Sequence, residues 1–209
     1  HNKPYIDTDD KDFVLSVLKS ELLSGGRTVN EFERLFCRIF GQKDAAACAV
    51  SSGTSALFLA LHALGVTKKD TVIVPTYVCS AVLNAVYMLG AKVLLVDVND
   101  EDFNISFEEV KKHMHKRVKV VVIPHMYGVP ADICRFKELG LPIVEDCAQA
   151  IGAKRNSKYA GTLGDIAIFS FYATKLMTTG QGGMVYSNNN RLIENVLDYR
   201  EFDCRKAYY

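Results

Sequence analysis

The runs Pro142-Ile143-Val144-Glu145-Asp146 and Ile166-Ala167-Ile168-Phe169-Ser170-Phe171 decide how this chain folds. Each is a short, almost unbroken apolar stretch that carries a polar residue at its end, Asp146 in the first and Ser170 in the second. Alternation would mark a strand with one wet face. Continuity marks a strand buried on both faces, as in a parallel sheet between layers of helices. Runs of the same character occur at 47–50, 71–75, 92–96, 118–123 and 183–186, and helical periodicity fills the gaps at 54–64, 78–89, 106–115 and 131–139. The third helix opens on Ser106-Phe107-Glu108-Glu109, the pattern of a capping box. Two amphipathic helices precede all this, at 9–23 and 29–40, closed by Ser24-Gly25-Gly26 and by Gly41. The expected architecture is an α/β fold with three α/β/α layers around a mostly parallel, mixed sheet. The mixed pairing is expected among the last three strands, which are less regularly interleaved with helices.

Composition narrows the function. The chain has 209 residues, and 49% hydrophobic residues with 23% charged ones describe a globular protein rather than a disordered one. A formal charge of +1 offers no electrostatic footprint for nucleic acid or an anionic membrane. No apolar run approaches the roughly 18 residues of a spanning helix. Cys37, Cys48, Cys79, Cys134, Cys147 and Cys204 are scattered without a CxxC pair, which reads as reduced core thiols. With no secretory leader at the start, a cytoplasmic location is expected. The His113/His115 pair lies in a charged helix end and has no metal-binding spacing, so no metal is expected.

Four strand-to-helix junctions could carry chemistry. Ser51-Ser52-Gly53-Thr54-Ser55 can present hydroxyls and free N–H groups to an anion, and it equally suits a plain capped turn. Asp146 leaves a buried strand, with Gln149 close behind; a capping role suits it as well as a ligand role. Lys175 follows Ser170 and Tyr172 among small and apolar residues, where a lysine's pKa falls toward that of a nucleophile, although many such lysines are simply solvated. His125 sits in Pro124-His125-Met126-Tyr127-Gly128, as a ligand contact or as a hydrogen-bonded loop histidine. Taken together, a phosphate-binding helix start, a carboxylate for a ring nitrogen and a lysine for an aldehyde suit one cofactor, pyridoxal 5′-phosphate.

The order and wording of these motifs resemble the DegT/StrS-type sugar aminotransferases, of the aspartate-aminotransferase fold type I. The similar stretches are Gly26-Arg27-Thr28-Val29, Ser52-Gly53-Thr54-Ser55-Ala56-Leu57, Val74-Pro75-Thr76-Tyr77, Pro124 to Asp132, Glu145-Asp146-Cys147-Ala148-Gln149-Ala150, and Phe169-Ser170-Phe171 through Lys175 to Gly183. The resemblance implies that Lys175 bonds the cofactor's aldehyde carbon, that Asp146 pairs with the pyridine nitrogen and that Gln149 lies by the phenolic oxygen. It also implies that Ser170, with Gly53, Thr54 and Ser55, holds the phosphate. For the face of the ring it leaves two residues, Tyr77 and Cys79. His125 and Tyr172 are substrate-contact candidates. Gln181 stands where the family often has Glu.

The implied reaction is a transamination from an amino acid, glutamate in this family, to a nucleotide-linked keto sugar, in a homodimer. Lysine at 175 argues against the dehydratase branch, which has histidine there. The alternatives are a lyase on the same scaffold, or a catalytically incompetent fragment or cofactor-binding regulator. The resemblance also implies a helical lead-in over 1–26, a cofactor-binding large domain over 27–209, and a small C-terminal domain beyond this chain.

Overall fold

The computed structural model describes residues 4–20, 23, 25–40 and 45–201. The helix closures expected at Ser24 and Gly41, and Cys204, lie outside the described residues. The strands are β1 (Ala46–Val50), β2 (Thr71–Pro75), β3 (Lys92–Val96), β4 (Val118–Pro124), β5 (Ile143–Asp146), β6 (Lys154–Arg155), β7 (Lys158–Tyr159), β8 (Ile166–Ser170) and β9 (Gly183–Ser187). All but β6 and β7 form one seven-stranded sheet in the order β1-β9-β8-β5-β4-β2-β3. β3, β2, β4, β5 and β8 pair in parallel, whereas β9 runs antiparallel to both β8 and β1. The expected mixture is thus concentrated in one reversed strand.

The helices are α1 (Thr8–Lys19), α2 (Gly26–Phe40), α3 (Gly53–Ala63), α4 (Ser80–Met88), α5 (Phe107–Lys112), α6 (Ile133–Phe136) and α7 (Asn190–Arg200). Successive strand side chains point to opposite faces, and this sorts the core into layers. Val72, Val74, Val120, Val122 and Val144 pack with α3, α4 and α7. Ile73, Val121, Ile123 and Ile143 pack with Ile133 and Phe136 on the other face. Farther along the sheet, Phe36 and Phe40 of α2 meet Phe169 and Tyr186, the Phe36 and Phe169 rings lying 4.8 Å apart.

The departures from expectation are local. α1 begins at Thr8 because Asp7 and Asp10 form a reciprocal capping box. α2 begins at Gly26, three residues before its expected start at Val29. α4 starts at Ser80, since Cys79 keeps an extended backbone. α5 ends at Lys112 rather than at 115, and Ser106 supplies only its half of the expected box. The other half is lost because the Glu109 carboxylate turns to Lys112 and His113. α6 is a single turn prolonged by a 3-10 turn. The β6–β7 hairpin was not expected; its turn holds Asn156 and Ser157 at φ 50° and 63°, the paired left-handed conformation of a tight hairpin.

Candidate active site

The carboxyl ends of β1, β5 and β8 open onto one side of the sheet, the side where ligands bind in open α/β folds. A cavity of about 460 Å³ lies there, and it brings together Gly53, Thr54, Cys79, Asp146, Ser170, Tyr172 and Lys175. Ser52 caps α3, its Oγ accepting the Ser55 N–H at 3.0 Å, while its carbonyl takes the Ala56 N–H at 2.9 Å. The Gly53 and Thr54 N–H groups therefore begin the helix with no acceptor inside it, at the positive end of the helix dipole.

Close backbone packing shapes this corner. A Cβ on Gly53 would lie 2.8 Å from Ser170 Cβ, so only glycine lets α3 approach the end of β8. A Cβ on Gly183 would lie 2.6 Å from the Ser52 carbonyl carbon and 2.8 Å from Gly53 N. The Lys175 loop is tied down at both ends: Lys175 N–H donates to Tyr172 O at 2.9 Å, and Phe171 N–H to Gly182 O at 2.9 Å. Thr178 Oγ1 and Thr179 N both donate to Phe171 O.

Asp146 and Glu145 are neighbours with opposite electrostatics. Burial raises the Asp146 carboxyl above its ordinary value, against the Ala148 N–H and the positive charge of Lys175. Among the described residues the Asp146 side chain accepts one hydrogen bond, from Ala148 N at 2.9 Å. Glu145 points the other way. Burial would raise it too, but the hydrogen bond from His125 and the N–H groups of Gly164 and Gly161 outweigh burial and hold it below its ordinary value. Its Oε2 pairs with His125 Nε2 at 2.9 Å and accepts Gly161 N–H at 2.8 Å; its Oε1 accepts Leu163 and Gly164 N–H. His125, Glu145 and Cys147 place their ligand-type atoms within 4.8 Å of one another. With both Glu145 oxygens committed to N–H donors, the cluster reads as a structural network.

Four residues expected at the site are not among those that line the cavity. His125 is 1% exposed, and its Nδ1 accepts the Ala131 N–H at 3.0 Å while Nε2 holds Glu145, so neither nitrogen is open to a substrate. This corrects its reading as a ligand contact. Tyr77 turns away from the cavity to hydrogen-bond Tyr127, and of the two candidates for the ring face it is Cys79 that lines the cavity. Ser55 is spent on the cap, its Oγ bonded to Ser52 and Ser51. Gln149 is exposed and is not among the cavity's lining residues. Ser52, Thr174 and Gln181 line the cavity as well; Ser52 belongs to the helix-start motif read from the sequence, Gln181 was noted there only as a departure from the family's usual Glu, and Thr174 was given no role.

A mixed, mostly parallel seven-stranded sheet between helical layers is the architecture of fold type I pyridoxal-phosphate transferases. The profile of the DegT/DnrJ/EryC1/StrS aminotransferase family matches residues 4–209, and the chain belongs to that family. It is 38% identical over 200 residues to a GDP-perosamine synthase of Vibrio cholerae, an alignment covering 93% of this chain and 54% of the relative. It is 36% identical over 199 residues to a UDP-4-amino-4,6-dideoxy-N-acetyl-beta-L-altrosamine transaminase of Campylobacter jejuni, covering 91% and 52%. The crystal structure of an aminotransferase from Psychrobacter cryohalolentis superposes with a TM-score of 0.91 at 32% identity, covering 96% of this chain and 52% of that one. The chain thus spans about half the length of the curated relatives it matches. Among the described residues no helix is long and apolar enough to cross a membrane.

Proposed function

We propose that this chain carries the cofactor-binding half of a pyridoxal-phosphate-dependent aminotransferase that moves an amino group from an amino acid, glutamate by family, to a nucleotide-linked keto sugar. The observation that carries the reading is the cavity shared by Lys175, Asp146, Ser170 and the first turn of α3. Its donor set fits the cofactor. The open N–H groups of Gly53 and Thr54 and the Ser170 hydroxyl suit a phosphate. Asp146, which burial raises, suits a protonated ring nitrogen that would restore its charge. The resemblance to relatives named as sugar-nucleotide transaminases supports the acceptor class.

When bound, the cofactor supplies an electron sink for the substrate's α-carbon. The chain's own residues do the rest. The Asp146 carboxylate would accept a hydrogen bond from the protonated ring nitrogen and so keep that proton on the ring, and the Lys175 amine is the group placed to take a proton from one carbon and return it to another. Leu57, Val82 and Ile168 wall the cavity with apolar surface, which keeps water from competing for that proton. Tyr172 stands exposed at the rim, in reach of an incoming substrate. Cys79 is the residue we assign to the cofactor's ring face. A homodimer in the cytoplasm suits the family and the free thiols Cys37, Cys48, Cys79, Cys134 and Cys147.

The test is an absorbance titration with pyridoxal 5′-phosphate, then borohydride reduction and peptide mass mapping. The expected result is a label on Lys175 and a spectral change to the amine form on adding glutamate. A label on another lysine, or cofactor uptake with no response to glutamate, defeats the assignment.

A further inference from the structure

Three aromatic side chains stand on the same carboxyl edge as the cavity, and none of them lines it. Tyr77 follows β2, Phe103 lies in the connection after β3, and Tyr127 follows β4. Their ring centroids form a triangle of 5.6, 6.4 and 6.3 Å, and the two tyrosine hydroxyls hydrogen-bond at 2.5 Å. A packed aromatic trio would ordinarily be buried, yet these are 45%, 46% and 62% exposed. Phe103 and Tyr127 also hold left-handed backbone, at φ 57° and 53°, a conformation rare in residues other than glycine.

The arrangement is supported from beneath. Asn104, 1% exposed, accepts the Met126 N–H at 2.9 Å and donates to Val129 O at 3.1 Å, which locks the Phe103 loop to the Tyr127 turn. Asp102 in turn accepts from both the backbone N–H and the side-chain amide of Asn104. The location is equally specific. In the sheet, β4 adjoins the strand that ends at Asp146, and β2 and β3 follow. At about 4.8 Å per strand the trio occupies the edge from roughly 5 to 15 Å beyond Asp146. Tyr77 is two residues before Cys79, which lines the cavity.

We infer that Tyr77, Phe103 and Tyr127 form a stacking platform for the nucleoside base of the acceptor, leaving the sugar end to the cavity. This rests on the acceptor class proposed above. Every base has a π-face, so exposed rings bind it with little regard to its identity, and the paired hydroxyls add donors and acceptors at the ring edge.

Calorimetric titration of the cofactor-loaded protein with GDP and UDP, and with inorganic pyrophosphate as a probe without a base, tests the inference. Tyr77→Ala and Tyr127→Ala should each weaken nucleoside diphosphate binding about ten-fold and leave pyrophosphate unchanged. Tyr77→Phe and Tyr127→Phe, which keep the rings, should stay within about two-fold of wild type. Circular dichroism and cofactor absorbance establish that the variants fold. Unchanged nucleotide affinity in both alanine variants, equal weakening of pyrophosphate, or no nucleotide binding by wild type overturns the inference. So does a change in sedimentation with nucleotide binding intact, which would make the trio a contact between two copies. A protein that takes up no cofactor sinks the proposed function instead, and the nucleotide titration still reads the platform separately.

Discussion

Asp146 and Glu145 show how far one residue's step along a strand can change its chemistry. Glu145 is satisfied by four N–H donors; Asp146 is left under-solvated facing the cavity. Glu145→Ala should therefore cost about 3–5 kcal/mol in urea unfolding, the scale of breaking a buried pair by deleting one partner. Its folded pKa is depressed, so its contribution is complete above the ordinary glutamate pKa of about 4.3 and is lost as acid takes the pH down through the folded value. The stability gap between wild type and Glu145→Gln should accordingly shrink on acidification below about pH 4. Asp146 has the reverse sign. Its raised pKa favours folding only in acid, and at neutral pH its charge is a burden on the cofactor-free protein. Asp146→Asn should raise the melting stability of the cofactor-free protein by roughly 1 kcal/mol while weakening cofactor retention. A variant that loses stability and keeps its cofactor would contradict the role assigned to Asp146.

At the scale of elements, the site depends on how closely α3 meets the ends of β8 and β9. The strands were legible because a sheet buried on both faces leaves continuous apolar runs, and the centres of all seven sheet strands fall where those runs predict. Ends were less legible, because caps and turns decide them: Asp7 moved the start of α1, and the carboxylate partners of Glu109 undid half of a capping box. The β6–β7 hairpin escaped because Lys-Arg-Asn-Ser-Lys-Tyr carries no apolar alternation; only its two left-handed turn residues define it. Gly183 was readable as part of a flexible turn, but its need to be glycine was not. Gly183→Ala should cost about 1–3 kcal/mol by overpacking against the Ser52 backbone, and it should lower cofactor affinity more than a surface Gly140→Ala does. Paired thermal melts and absorbance titrations read both effects.

At the scale of the molecule, contacts between distant segments hold the layers together. Arg200 of α7 donates to Glu33 of α2 at 2.6 Å and to Ala49 O at 3.3 Å, and Glu33 also accepts the Ala49 N–H at 2.8 Å. One node thus joins α2, β1 and α7. Arg200→Ala leaves a half-buried carboxylate without its cation, and a loss of about 2 kcal/mol in a single urea transition is expected. A loss below about 0.5 kcal/mol would mean that the pair behaves as an ordinary surface bridge.

The sequence by itself determined the α/β class, the layered sheet and the family, and it offered as candidates the lysine, aspartate and serine that the fold gathers around one cavity. These follow from hydrophobic continuity and from motifs that are local along the chain. Only the tertiary structure decided which neighbours share a cavity. It turned Tyr77 outward and Cys79 inward, buried His125 behind Glu145, and spent Ser55 on a cap. The physical reason is that a side chain's direction at a strand exit is set by backbone angles and by hydrogen-bond partners contributed from remote segments, and no spacing along the chain encodes those partners.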